Sequence, residues 1–126
     1  MLAGVMNLQG KIRSLLVLEP RHGDYDAVID LFRGHDILGK AVRLAGAWSA
    51  EVHLPLSRSG PVVVTASWDS AEAYAGWRAH PIRAELNPLM ERVVDLEATP
   101  VIPSGVYEVV VAASRDCRRV LRKLKR

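Results

Sequence analysis

Two strand-like segments joined by a short turn lie in the middle of the chain and constrain its fold most strongly. In residues 47–54 (AWSAEVHL) apolar side chains alternate with polar ones, which is the two-residue period of a half-buried strand. Residues 55–60 (PLSRSG) have the composition of a turn, and residues 62–68 (VVVTASW) are rich in β-branched side chains. The sequence therefore predicts a β-hairpin.

A strand and a helix precede this hairpin. Residues 11–19 (KIRSLLVLE) form a mostly apolar run, which we predict to be the first strand. Asp24 is a good N-cap for the helix that follows. The apolar-spaced positions of this helix are Val28, Leu31, Phe32 and His35. Gly34 and Gly39 each cost about 1 kcal/mol relative to Ala in a helix interior, so we expect the helix to bend or break.

A second helix follows the hairpin and is interrupted by a proline. Residues 69–72 (DSAE) match a capping box, with Asp69 as the N-cap residue and Glu72 reaching back to its backbone. Pro81 lacks a backbone donor and disfavours a helical conformation at the residue before it. We therefore expect the helix to break there and to resume over residues 82–94 at a new angle.

The order of elements is β-α-β-β-α-β. Residues 106–112 (VYEVVVA) supply the fourth strand after a Pro-rich connection. This order predicts an α+β domain of ferredoxin-like type, in which both helices cover one face of a four-stranded sheet. Strands this rich in Val and Leu need cover on both faces. We expect the second face to be apolar and open, and to pair with another copy of the chain in a homodimer.

Length and composition are those of one folded domain, with 126 residues, 49% of them apolar and 25% charged. We assign residues 1–10 to an N-terminal arm, residues 11–114 to the domain and residues 115–126 to a basic tail. The lone Cys117 cannot form an internal disulfide. The first residues resemble neither a signal peptide nor a membrane span, so a cytoplasmic location is expected.

The positive charge is concentrated in the C-terminal tail. Residues 115–126 hold seven Lys or Arg and one Asp, a charge of +6, whereas the rest of the chain holds 10 basic and 13 acidic residues, a charge of −3. The domain itself therefore gives no support for nucleic-acid binding. A solvated tail is the simpler interpretation, and docking on an acidic partner or an anionic membrane is the alternative.

Residues 67–89 (SWDSAEAYAGWRAHPIRAELNPL) resemble the core signature of the antibiotic biosynthesis monooxygenase family, W-x-S-x-E-A-x-x-x-W/H-x-x-S/H-P. The residues that fill this pattern are Trp68, Ser70, Glu72, Ala73, Trp77, His80 and Pro81. The resemblance extends more weakly over residues 11–114 and implies a dimeric α+β barrel. It also implies a monooxygenase that needs no cofactor, because the carbanion of a polycyclic phenolic, polyketide-type substrate reacts directly with O₂.

Two better-defined activities of that family require residues that this chain lacks. The anthrone-oxidising type has an Asn four residues before the strand-3 Trp, where this chain has Val64. The haem-degrading type has a His ten residues after the helical Trp, where this chain has Asn87, and an Asn on the first strand. The comparison disfavours haem degradation. It keeps two alternatives to the oxygenase, a polyketide cyclase or isomerase and a non-catalytic dimeric accessory or binding protein.

Three residues are our candidates for catalysis, since cofactor-free oxygenation needs a base and donors aimed at a developing oxyanion. Trp68 could donate its indole N–H to a substrate oxygen or simply fill the core. His80 could be the base or could cap the helix before Pro81. His53 could form a base with Glu51, or the two could face solvent or an interface.

An aromatic wall is expected on the second helix, where Tyr74, Trp77 and His80 are spaced three apart and share a face. An ordinary amphipathic stripe is the alternative. Tyr74, Trp77, Val64 and Arg83 are our candidate substrate-binding residues, and Arg83 could steady an anionic intermediate. The four histidines stand too far apart in sequence to predict a metal site. We expect the pocket between the sheet and the kinked second helix.

Overall fold

The computed structural model of the chain describes residues 11–100 and 102–115. It confirms the order β-α-β-β-α-β, with each of the two helical segments divided into two helices. The elements are β1 (Ile12–Leu18), α1 (Tyr25–Gly34), α2 (Ile37–Ala45), β2 (Ser49–His53), β3 (Val62–Trp68), α3 (Ala71–Arg78), α4 (Pro81–Val93) and β4 (Gly105–Glu108). A 3₁₀ turn (Arg21–Gly23) leads into α1.

The four strands form one antiparallel sheet in the order β2-β3-β1-β4. The central strands β1 and β3 pair from Ile12 opposite Trp68 to Leu18 opposite Val62. Strands β2 and β3 pair as the predicted hairpin. This register places Trp68 at the end of a central strand, beside the start of β1.

The helices cover one face of the sheet. The core there includes Leu18 of β1 and Val62, Val64, Ala66 and Trp68 of β3, packed with Val28 and Phe32 of α1. Strand alternation puts Leu15, Val17 and Val63 on the opposite face, together with Arg13, Ser67, Thr65, Glu51 and His53. We expected that face to be apolar, which holds for the aliphatic side chains of the central strands and is wrong for the rest of the face. It mixes charged, hydroxylic and aliphatic side chains.

The first helical segment breaks at Asp36, between the two glycines. Asp36 has a φ of 48°, in the left-handed region that Asp tolerates better than most residues. A Cβ atom at position 39 would collide with the Asp36 carboxylate, so Gly39 allows this close approach. His35 is the C-cap of α1 and is exposed. The expectation of an inward-facing side chain at position 35 is therefore wrong.

Helix α3 begins one residue later than the sequence predicts. The Ser70 hydroxyl accepts a hydrogen bond from the Ala73 N–H at 3.2 Å, so Ser70 rather than Asp69 is the N-cap residue. Asp69 instead forms an ion pair with Lys11 at 3.0 Å. The hydrogen bond from Lys11 lowers the pKa of the Asp69 carboxyl. The predicted capping box therefore does not form at Asp69.

The break between α3 and α4 lies where the proline predicts it. His80 has an extended backbone, with φ −64° and ψ 137°, and Pro81 occupies the first turn of α4. The His80 Nδ1 atom accepts a hydrogen bond from the Ile82 N–H at 3.2 Å. Of the two interpretations of His80 given above, this geometry is that of a helix cap.

Strand β4 is shorter than the predicted strand 4 and begins one residue earlier. It pairs with the first half of β1, with Glu108 opposite Ile12, and the Val109 N–H donates to the Lys11 carbonyl at 2.8 Å. Beyond this contact, Val110 and Val111 are exposed, by 63% and 85%.

Several expectations concern residues outside the described ranges. The N-terminal arm (residues 1–10) and the tail from residue 116 onward, including Cys117, lie there, and those predictions stay untested. Within the described ranges, no helix is long and apolar enough to cross a membrane. The cytoplasmic location stays a prediction.

Candidate functional site

A largely apolar cavity of about 150 Å³ lies between the helix-covered face of the sheet and the helices. Strands β1, β2 and β3 contribute residues to it, as do helices α1, α2, α3 and α4. The polar side chains in its lining are few, namely Ser14, Tyr74, Arg83 and Asn87. A concave apolar site with a small number of polar groups is typical of small-molecule binding sites. It lies where the sequence predicts a pocket.

Five of the seven predicted site residues line this cavity. Val64 and Trp68 are on the helix-covered side of β3, and Tyr74, Trp77 and Arg83 come from the two helices that follow. The tilted rings of Trp68 and Tyr74 have centroids 5.5 Å apart. This spacing is within the range of aromatic pairs, so the two rings form one wall. Whether these residues bind a substrate is still a prediction.

Trp68 is almost fully buried, with 1% of its surface exposed. Its indole Nε1–H donates to the Ser14 hydroxyl oxygen at 3.0 Å. An indole has one N–H and no acceptor, so this bond uses the whole hydrogen-bonding capacity of Trp68. In this arrangement the indole ring of Trp68 lines the cavity, and its N–H group can affect a ligand only through Ser14.

Ser14 is a buried polar cavity residue that was not among the predicted site residues. It is 6% exposed and lies opposite Ala66 in the pairing of β1 with β3. A signal was present, because Ser14 shares the inward period of Ile12, Leu16 and Leu18 and is the one polar residue of that series. A polar side chain at a core position of a strand needs a partner, and Trp68 supplies it.

Arg83 is a half-buried cation at the cavity. Its guanidinium carbon is 5.5 Å from the centroid of the Trp77 ring. Burial lowers the pKa of Arg83 from its usual value, although a guanidinium remains charged at neutral pH. Within residues 11–100 and 102–115, the ion pairs involve other basic groups and no carboxylate neutralises Arg83. An anion in the cavity would find this charge available.

The two predicted catalytic histidines do not line the cavity. His80 caps α4, and its ring is tilted by 41° from the Trp77 ring at a centroid distance of 6.0 Å. His53 does form the predicted pair with Glu51, at 3.6 Å, and also contacts the Thr65 hydroxyl at 3.0 Å. That pair lies on the other face of the sheet because side chains alternate along β2. Within one chain, the geometry does not place either histidine as a base for a ligand in the cavity.

No metal centre is evident in the part of the chain that the structure describes, where no three His, Cys, Asp or Glu side chains cluster. His22 and His35 are exposed and belong to separate turns. The described lining therefore gives a ligand an apolar surface, one cation and a few neutral polar groups.

Comparison with known proteins identifies the fold and goes no further. No family model and no curated protein match the chain. A solved structure from Shewanella oneidensis matches with a TM-score of 0.64 and 17% identity, over 86% of this chain and 98% of that one. A protein of Mycobacterium tuberculosis matches with a TM-score of 0.59 and 13% identity, over 82% and 97%.

A third similar solved structure has a ferredoxin-like fold. It is a dimeric protein of unknown function from Bacteroides fragilis, described as having a ferredoxin-like fold, with a TM-score of 0.59 and 11% identity over 81% of this chain and 99% of that one. This chain has the ferredoxin-like α+β fold. At such identities the ferredoxin-like neighbours establish architecture alone, and the resemblance to antibiotic biosynthesis monooxygenases stays a prediction.

Proposed function

We propose that the chain is a cofactor-independent monooxygenase whose substrate, a polycyclic phenolic compound of polyketide type, binds in the cavity. The observation that carries this proposal is the combination of apolar and aromatic walls with the charge of Arg83, which no carboxylate of the described residues neutralises. Fused aromatic rings would pack against Trp68, Tyr74 and the aliphatic side chains. The ionised oxygen of the same compound would be stabilised by Arg83.

The reaction needs a substrate that supplies its own electrons. Loss of a proton from the ring CH₂ of an anthrone gives a carbanion whose charge is delocalised onto oxygen. One electron passes from this anion to O₂, the resulting radical pair combines to a hydroperoxide, and loss of water leaves a new carbonyl. The substrate CH₂ and O₂ become C=O and H₂O, so no external reductant and no cofactor is required.

The contribution of the protein is electrostatic. The titratable side chains in the cavity lining are Tyr74 and Arg83, and neither predicted histidine is among them. A fixed positive charge in a site of low polarity favours the ionised form of a substrate, so Arg83 would lower the pKa of the bound phenol or anthrone. The proton would then pass to water at the cavity mouth, and the apolar walls would limit side reactions of the carbanion.

The proposal includes a homodimer. Val110 and Val111 are exposed just beyond the edge strand β4, and exposed apolar side chains beside a sheet edge favour association. The Bacteroides fragilis neighbour is described as dimeric, which supports the same conclusion. In the dimer we expect a second copy to cover this edge.

A non-catalytic ligand-binding protein is the second candidate. The observation that favours it is that His80 and His53 lie away from the cavity, which leaves binding groups there but no histidine base. The cyclase alternative has no observation of its own in its favour. Binding without turnover would distinguish this candidate from the oxygenase.

Oxygen consumption tests the proposal. With anthrone as the model substrate, an oxygen electrode should record uptake above the spontaneous rate, with one O₂ consumed and one anthraquinone formed per anthrone. Uptake no faster than the spontaneous rate, at anthrone concentrations shown by calorimetry to saturate the protein, would contradict the oxygenase and support the binding protein. An absence of binding would contradict both.

A further inference from the structure

We propose that the Ser14 hydroxyl is the hydrogen-bond donor that recognises an oxygen atom of the cavity's ligand, with Trp68 as the positioning residue that orients it. This inference rests on the cavity being the ligand site of the proposed function. It does not depend on the oxidation, because a bound, unreactive ligand would make the same contact.

Ser14 and Trp68 are buried side by side in the cavity wall. Ser14 and Trp68 are 6% and 1% exposed, and both line the cavity from adjacent strands of the sheet. Their hydrogen bond, from Nε1 to Oγ at 3.0 Å, crosses from β3 to β1. A buried contact between two stiff strands holds the serine oxygen in one place, as a recognition site requires.

The direction of this hydrogen bond determines what remains free on the serine hydroxyl. The indole N–H can only donate, so it occupies one of the two lone pairs of the serine oxygen. The serine proton must therefore point away from Trp68. Among the described residues no other hydrogen bond involves the Ser14 side chain, so none takes up that proton. Ser14 also lines the cavity, where a ligand oxygen could accept it.

A buried serine donor without a partner is energetically unfavourable. Buried polar groups are generally satisfied, and a ligand oxygen would satisfy this donor. An ionised phenolic or enolic oxygen would accept a shorter and stronger hydrogen bond than a neutral one. The same site would discriminate against a hydrocarbon of equal shape, which would leave the serine donor unpaired. Ser14 is therefore expected to select oxygen-bearing aromatic compounds.

Calorimetry with a matched pair of probes tests this inference. The probes are 1-naphthol, which carries an oxygen acceptor, and naphthalene, which has the same rings without it. Ser14→Ala should weaken 1-naphthol binding by about tenfold and change naphthalene binding by less than about twofold. Ser14→Thr, which keeps a hydroxyl at the same position, should retain most of the preference for 1-naphthol.

Ser67→Ala is the matched control. Ser67 is also a β-strand serine with 6% exposure, but it lies on the other face of the sheet. It should leave the affinities for both probes unchanged. Equal loss of both probes in Ser14→Ala would show that Ser14 only packs the cavity, and unchanged 1-naphthol binding would show that the hydroxyl makes no contact. Either result overturns the inference.

Trp68→Phe tests the positioning role. It removes the indole N–H and keeps an aromatic ring, so 1-naphthol binding should weaken by about threefold. Because Phe also loses part of the ring contact with the ligand, the quantity compared is the preference for 1-naphthol over naphthalene. In the double variant this preference should be no lower than in Ser14→Ala alone, because the N–H of Trp68 acts through Ser14. Independent, multiplying losses of the preference would mean that Trp68 contacts the ligand oxygen itself and would overturn this part.

The inference remains testable if Ser14→Ala does not fold or if the oxygenase proposal fails. If Ser14→Ala does not fold, Ser14→Cys carries the comparison, since a thiol is a weak donor of similar shape and should also lower the preference for 1-naphthol. If the wild type selects 1-naphthol but anthrone gives no oxygen uptake, the inference stands and the oxygenase fails. If the wild type binds neither probe, the cavity is not the site and the inference fails.

Discussion

At the scale of single residues, Arg83 shows a conflict between folding and binding. Burial beside Trp77 lowers the pKa of its guanidinium, which means that the surroundings disfavour the charged form. No carboxylate in the described ranges offsets this. A group that is unfavourable for folding and faces a cavity is a reasonable candidate for function, because functional sites retain such groups.

Replacing Arg83 should therefore not destabilise the protein. We expect Arg83→Met, which keeps an apolar stem of similar length, to unfold at the same temperature as the wild type or higher in calorimetry without ligand. Arg92→Gln, at an exposed position of the same helix, is the control and should unfold like the wild type. A fall of several degrees in Arg83→Met alone would mean that the cation–π contact with Trp77 is structural.

His80 is a residue for which the sequence left two interpretations open. Its Nδ1 atom accepts the Ile82 N–H and it does not line the cavity. We expect His80→Ala to lose about 1 kcal/mol of unfolding free energy, as for other lost helix caps, when measured by urea titration. Its specific oxygen-uptake rate with anthrone should stay within about twofold of the wild type. A tenfold lower rate with an intact fold would restore His80 as the base.

At the scale of elements, helix boundaries depended on contacts that are distant in sequence. The motif at residues 69–72 predicts the start of α3 within one residue, but Ser70 caps the helix whereas Asp69 pairs with Lys11, which is distant in sequence. Strand β4 is likewise shorter than its apolar pattern predicts, and its described pairing covers the first four residues of β1. Local patterns therefore predict which elements exist, whereas tertiary contacts decide where they end.

The N-cap assignment gives a direct comparison of two neighbouring residues. Ser70→Ala should lower the free energy of unfolding by about 1 kcal/mol, because the Ala73 N–H loses its partner. Asp69→Ala should have a smaller effect, since its ion pair with Lys11 is exposed to solvent. Urea titrations of both variants measure this, and a larger loss for Asp69→Ala would reverse the assignment.

At the scale of the whole molecule, the fold was more predictable than the site. Strand alternation and the break at Pro81 were sufficient for the element order and the location of the cavity. They also place His53 on the polar side of β2, away from the apolar positions that the helices cover. They could not show that Trp68 would donate its indole N–H to Ser14, a residue 54 positions away.

The proposed dimer is tested by its mass in solution. Light scattering should give about twice the 13.9 kDa of one chain for the wild type. Val111→Asp should shift the protein toward the monomer, because a charge would be buried at the proposed interface. Leu56→Asp, at a 99% exposed position in the β2–β3 turn, is the control and should remain dimeric. A monomeric wild type at micromolar concentration would contradict the dimer.

The most direct test of the central claim is oxygen uptake with anthrone, measured in parallel for the wild type, Arg83→Met and Arg92→Gln. If the charge at the cavity stabilises the substrate anion, the wild type and Arg92→Gln should consume O₂ at the same rate. Arg83→Met should be slower by about tenfold or more in kcat/KM. Equal catalysed rates in all three proteins would contradict the electrostatic role of Arg83, and no catalysed uptake in any of them would contradict the oxygenase itself.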